Sequence, residues 1–133
     1  MNGRRKLLAA FSAAWDARDV DALMDLMAPD CEFRSSVGPE PGGVFLGPKE
    51  VRRGFELYLA PTGASTEVDV AMAPHLISER FGLTRWTATS RHTDGTTTVV
   101  QACDVFEFEG ALIRTKDTYR KTFGTLPTGV DNN

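Results

Sequence analysis

QACDVFEFEGALIRTKDTY, residues 101–119, alternates polar and apolar side chains on both sides of a Glu109-Gly110 step. Alternation of period two is the signature of a strand with two unlike faces, and a glycine between two such runs marks a tight turn. The stretch therefore predicts two antiparallel strands, 97–109 and 112–123. Successive side chains of a strand point to opposite faces. Asp104 thus shares a side with Ala102, Phe106 and Phe108, and Asp117 shares one with Ile113 and Tyr119. Each strand puts a carboxylate on its more apolar face. An unpaired carboxylate away from water is costly, so each needs a partner or serves chemistry.

Upstream, Leu83–His92 forms another strand pattern, joined to Thr97 by the hairpin signal Thr93-Asp94-Gly95-Thr96. Two-residue turns at Asp94-Gly95 and Glu109-Gly110 fix a register. In it Arg85 opposes Asp104, Asp104 opposes Thr115, and Ala102 opposes Asp117 and Thr87. One face then carries Arg85, Thr87, Asp104, Phe106, Thr115, Asp117 and Tyr119. Cross-strand partners stand about 4.5–5.5 Å apart and diagonal ones about 7–8 Å, so one Arg85 guanidinium can reach both carboxylates. A satisfied Arg–Asp core network is the alternative to a functional cluster. A one-residue bulge in either hairpin would move one Asp to the outer face.

The first half of the chain has helical spacing. Residues 4–17 align Leu7, Leu8, Phe11 and Trp15 on one side. The same residues, with Arg4-Arg5 ahead of an apolar run, mimic a short leader; a helix of the folded chain is the favoured reading. Asp19 caps a second short helix that carries Val20, Leu23, Met24 and Met27 and is ended by Pro29. Cys31–Ser35 is a short strand candidate, residues 37–48 form a Gly/Pro-rich loop, and Pro48 opens a third helix running to Leu59. Residues 67–73 alternate. Residues 124–133 have little to bury and are expected to fray. Helices followed by an antiparallel meander predict one α+β domain over residues 1–123, with the helices on one sheet face. Phe11, Trp15 and Phe55 would wall an apolar pocket around the Asp/Arg/Asp cluster, with Tyr58 as a further donor.

The bulk composition narrows the function classes. The chain has 133 residues, 41% hydrophobic and 25% charged, with a net charge of −3. That suits a globular core and leaves no basic stripe for nucleic acid. No apolar run approaches the roughly 18 residues of a membrane span. Cys31 and Cys103 have no metal or redox spacing and suit reduced thiols in a cytoplasmic protein. His75 and His92 are isolated, and no metal spacing or phosphate-binding glycine loop occurs. No metal and no cofactor are expected.

Arg85-Trp86-Thr87 followed by CDVFEFEGALIRTKDTYRK resembles the SnoaL-like branch of the nuclear-transport-factor-two-like superfamily. The similarity covers about residues 5–123. It implies a curved antiparallel sheet wrapped on helices, forming a cone with a pocket, and a homodimer through the outer sheet face. Relatives include ketosteroid isomerases, polyketide cyclases and limonene-epoxide-hydrolase-like enzymes. Ser35 stands where the isomerases carry their general-base Asp, and Phe11 near their oxyanion-donating Tyr. Asp104 matches the second oxyanion donor. Asp117 falls at the last-strand Asp of cyclases and hydrolases, Arg85 at the hydrolase Arg, and Thr87 at the hydrolase's other Asp. The resemblance thus implies a small, largely apolar ligand of polyketide, terpenoid or steroid type. Asp117 would be acid or base, Arg85 and Asp104 would orient it, and Thr87 and Tyr119 would supply hydrogen bonds. The reaction would be a cofactor-independent isomerisation, cyclisation or hydration. Non-catalytic ligand binding and a purely structural dimer module are the alternatives.

Overall fold

The computed structural model describes residues 3–61, 65–122 and 124–127, leaving the side chains of residues 65 and 66 undescribed. The expected strand end at Phe123 and residues 128–133 of the tail lie outside the described residues, and residues 124–127 form no helix or strand.

Helix α1 (Gly3–Asp16) buries Leu7, Leu8, Phe11 and Ala14 along one stripe, the spacing that a 3.6-residue period requires. Helix α2 (Val20–Asp25) starts as expected, with the Asp19 carboxylate accepting from the Ala22 N–H at 3.0 Å. It ends earlier than the sequence suggests. Met27 already opens strand β1 (Met27–Arg34), and Pro29 lies exposed within that strand. The pairing of β1 slips between Met27 and Glu32. A residue without an N–H costs little in such an irregular stretch. After β2 (Val44–Leu46), helix α3 (Gly47–Leu59) has Pro48 in its first turn and buries Val51, Phe55 and Leu59.

The other strands are β3 (Ser65–Met72), β4 (Leu76–Ile77), β5 (Phe81–His92), β6 (Thr97–Glu109) and β7 (Leu112–Arg120). One sheet runs β2-β1-β7-β6-β5-β3, with the short β4 beside β5. Its pairs are antiparallel except β1 with β7. The sheet is curved and unclosed, and the helices pack into its concave side. The fold is α+β, as the sequence predicts. Leu8, Phe11, Leu23, Cys31, Phe33, Val51, Phe55, Phe106 and Ile113 fill the space between the layers. At Gly82 the layers touch: a Cβ there would lie 2.7 Å from Leu8 Cδ1 and 2.8 Å from Phe108 Cζ.

Both hairpin registers differ from the sequence expectation, and the difference decides the site. The β5–β6 connection is not a two-residue turn. The His92 N–H donates to Thr96 O, the Gly95 N–H donates to His92 O, and Gly95 has φ +87°. This is a three-residue loop, Thr93 to Gly95, with glycine at the left-handed position. The ladder shifts by one, so Arg85 opposes Cys103 and Thr84 opposes Asp104. A one-residue shift turns every side chain of β5 to the other face. The β6–β7 turn is Gly110-Ala111, since Glu109 opposes Leu112. One step on, Phe108 faces Ile113 but Glu107 faces Thr115, so Arg114 is an extra residue in β7. Beyond this bulge the phase of β7 inverts. Asp104 then opposes Thr118, and Val105 opposes Asp117.

Candidate active-site cavity

The inverted phases give the concave face an unexpected set of polar groups. β6 contributes Asp104, as the sequence suggests. β5 contributes Thr84 and Trp86 instead of Arg85 and Thr87. β7 contributes Lys116 and Thr118 instead of Thr115, Asp117 and Tyr119. Their side chains meet in one closed network. Asp104 Oδ1 accepts from Lys116 Nζ at 3.0 Å and from Thr118 Oγ1 at 2.6 Å, and Oδ2 accepts from Trp86 Nε1 at 3.1 Å. Lys116 Nζ also donates to Thr118 Oγ1 at 2.8 Å.

Burial makes this pair consequential. The Lys116 and Asp104 side chains keep only 6% and 13% of their surface. Two charges taken that far from water persist when they face each other and their remaining hydrogen-bonding positions are filled. The lysine also lies against aromatic faces, 4.7 Å from the Trp15 ring centroid and 5.0 Å from that of Phe33, where ring quadrupoles attract a cation. The two oxygens of Asp104 are unequal: Oδ1 takes two donors and Oδ2 takes one. Two of the three ammonium protons of Lys116 are committed. One carboxylate lone pair and one ammonium proton therefore remain for a ligand among the described residues.

The network faces a cavity of about 320 Å³ whose walls are mostly apolar, including Phe11, Trp15, Phe33, Val70, Met72 and Phe106. That volume is at the small end of ligand pockets. Ser35, Tyr58, Asp16 and Arg120 also reach it. The Ser35 hydroxyl is spent on Val37 O at 2.6 Å, which ties down the loop after β1. Tyr58 is partly exposed and packs edge-on against Phe33, with ring centroids 5.3 Å apart. Phe55 is fully buried behind the wall, against Phe11, Trp15 and Phe33.

The expected Arg85–Asp104–Asp117 cluster does not form. Arg85 is exposed on the outer face, opposite Cys103. Asp117 is also on that face, where it accepts from the Tyr119 hydroxyl at 3.1 Å; this bond holds the phenol proton and raises the Tyr119 pKa. Thr115 is outward as well, buried, with an unpartnered Oγ1 among the described residues. Arg85, Thr87 and Tyr119 line a separate, shallower hollow of about 470 Å³ on the outer face, together with Gln101, Cys103 and Lys121. Burial, with the nearby Asp104 charge, pushes the Cys103 thiol up, away from nucleophile character. Cys31 and Cys103 are both free. Among the described residues no group of His, Cys, Asp and Glu can hold a metal ion, and no helix is long and apolar enough to cross a membrane.

Lys116 was the residue hardest to find from sequence. It sits between Thr115 and Asp117, out of step with both apolar neighbours, until Arg114 is counted as an extra residue. The signal was the basic residue itself. A buried Asp104 needs a cation, and once Arg85 turns away, Lys116 is the one that reaches it.

Known proteins agree with this architecture. The SnoaL-like domain family matches residues 8–115. No curated protein sequence matches the chain. Among solved structures, an NTF2-like protein of unknown function from Burkholderia pseudomallei K96243 superposes with a TM-score of 0.74 at 21% identity, covering 91% of this chain and 92% of that one. TerC, co-crystallized with polyporic acid, gives 0.72 at 18% identity over 90% and 92% of the two chains. SalBIII, an epoxide hydrolase/cyclase-like enzyme with a role in pyran ring formation in the polyether salinomycin, gives 0.68 at 17% identity over 89% and 91%. At these identities the likeness speaks for the fold. With the family match spanning most of the length, the chain belongs to the SnoaL-like domain family, and its fold is the one these NTF2-like structures share.

Proposed function

We propose that the chain binds a small, largely apolar molecule in the concave cavity and acts on one oxygen function of it by acid–base chemistry without a cofactor. One observation carries this reading. A desolvated carboxylate–ammonium pair, with one acceptor position and one donor proton uncommitted, faces an apolar cavity. Lys116 would donate to a carbonyl, epoxide or enolate oxygen, where a fixed donor is worth most as negative charge develops. Asp104 Oδ2 would take or relay a proton at the neighbouring carbon or water. Arg120, four residues beyond Lys116 on the same face, stands about 13 Å along the strand, among the exposed rim residues. A ligand reaching from Lys116 to the rim would be polar at both ends and apolar between. Polyketide-, terpenoid- and steroid-type molecules fit that description. Isomerisation, cyclisation and hydration or hydrolysis all fit the two groups.

A second reading has its own support. Asp104 already accepts from three donors and keeps a single open lone pair, an arrangement that also suits a binding protein that transforms nothing. A screen of those compound classes by thermal shift, with product analysis of each hit, separates the two. Turnover that vanishes in Lys116→Met and Asp104→Asn variants that still bind supports catalysis. Turnover that persists in both ends the catalytic assignment. Stabilisation without turnover supports binding alone. The outer face, where Val99 and Tyr119 are exposed, is the surface through which we propose two copies pair. Sedimentation of Tyr119→Glu against the unsubstituted chain tests this, and an unchanged mass would reject it.

A further inference from the structure

Beside Thr84, a residue of the cavity wall, lies a histidine that the network above does not use. His75 precedes β4, whose pairing with β5 continues back to set His75 beside Thr84. Its Nδ1 lies 2.7 Å from Thr84 Oγ1. Thr84 is 2% exposed, lines the cavity, and directly opposes Asp104 in the ladder. Helix α1 closes the far side, where the Arg5 guanidinium donates to the His75 carbonyl at 2.7 Å.

We infer that His75 is a positioning residue that sets whether Thr84 donates or accepts a hydrogen bond toward the cavity ligand. The reasoning is proton counting. A threonine hydroxyl has one proton and two lone pairs. A neutral imidazole with its proton on Nε2 accepts at Nδ1, so the Thr84 proton points at His75 and only lone pairs face the cavity. A protonated imidazole must donate from Nδ1. Thr84 then accepts there, and its proton is free to turn toward a ligand oxygen. The switch moves no heavy atom. It converts one buried wall position from acceptor to donor, next to Asp104.

The surroundings hold His75 in the neutral state near pH 7. Burial, then the charge of Arg5, lowers its pKa below the ordinary 6.5. The other charged groups lining the cavity are Asp104 on β6 and Lys116 on β7, which are closed on each other, Asp16 on α1, and Arg120 at the end of β7. Arg85, next to Thr84, lies on the opposite sheet face. With the neutral ring protonated on Nε2, the donor state of Thr84 is therefore reached only in acid.

The inference rests on the cavity being the ligand site, so its test has a ligand-free arm. Ring-nitrogen spectra of the full chain, ¹⁵N-labelled at histidine and assigned with a His75→Asn variant, report the protons directly. We expect an unprotonated Nδ1 at neutral pH and a protonated one below the His75 midpoint. Nδ1 carrying a proton at both ends would overturn the inference, because Thr84 would then never reverse. The second arm uses naphthalene-2-sulfonate, an apolar acceptor that stays ionised throughout. Its affinity should rise about 2- to 10-fold as His75 protonates, the size of one hydrogen bond. That rise should vanish in His75→Asn and in Thr84→Val and survive in Thr84→Ser. A rise that survives in Thr84→Val would overturn the inference, since His75 would then act by charge alone. No binding at any pH would count against the proposed ligand site, while the ring spectra still decide the proton reversal.

Discussion

Replacing Lys116 by methionine tests the buried pair directly. Methionine keeps the length and apolar body of lysine, so cavity formation is a minor part of the change. What is lost is the ammonium, its bonds to Asp104 and Thr118, and its contacts with Trp15 and Phe33. Asp104 then stays 13% exposed with a neutral donor from Trp86 and another from Thr118. Removing one partner of a buried pair typically costs about 3–5 kcal/mol, because the other charge is left uncompensated. The two residual donors place the expected loss near the lower end, about 3 kcal/mol. For a chain of this length that lowers Tm by roughly 10 °C. Adding Asp104→Leu to Lys116→Met removes the stranded charge and should recover most of the loss, since apolar replacements of whole buried pairs are often neutral. Differential scanning calorimetry of the two variants at one pH is the assay. A Tm unchanged by Lys116→Met, or a double variant less stable than the single one, would refute the claim that this pair is desolvated and mutually dependent.

The remaining predictions use other parts of the molecule. Asp117→Asn and Arg85→Ala, both on the outer face, should leave probe affinity for the concave cavity within about 2-fold in isothermal titration, a free-energy change under about 0.5 kcal/mol of the size usual for surface substitutions. Gly82→Val drives a side chain into Leu8 and Phe108 and should cost about 1–3 kcal/mol by overpacking, read as a lowered urea midpoint at constant slope. Asp19→Ala removes the α2 cap and should cost about 1 kcal/mol in the same measurement. His75 has a lowered pKa when folded, so as pH falls the unfolded chain binds this proton first. Its contribution is fully present above about pH 6.5, falls as pH drops from there, and levels off below the folded value. Comparing Tm against pH for His75→Asn and the unsubstituted chain should show a steeper acid loss in the latter.

The fold was legible because it rests on periods. Leu7, Leu8 and Phe11 mark a helix, Asp19 a cap, Pro48 a helix start, and the alternation from Gln101 to Glu109 a strand with one buried face. The inward placement of Asp104 and Phe106 follows from that alternation alone. Partner strands are another matter, because their facing depends on the connections. Asp94-Gly95 satisfies a two-residue turn and the last two places of a three-residue loop equally well, and the Asp94 carboxylate accepting from Thr96 helps select the longer one. At Arg114 nothing local announces a bulge. Arg114 is held outward by Asp30, Glu32 and Glu107, charges from β1 and β6 that only the assembled sheet brings together. Each misplaced site residue on the sheet follows from one of these two single-residue choices.

The bulge at Arg114 has a consequence for how this sheet could change its chemistry. β7 carries two distinct equipment sets on alternate positions, Lys116 with Thr118 and Asp117 with Tyr119. The extra residue selects which set is turned to the hollow and which to the back. Deleting one residue between Ile113 and Thr115 would swap them wholesale, exchanging an ammonium for a carboxylate beside Asp104 without altering any side chain beyond the deletion. A length change of one residue in this strand is thus a larger chemical event than almost any point substitution in it.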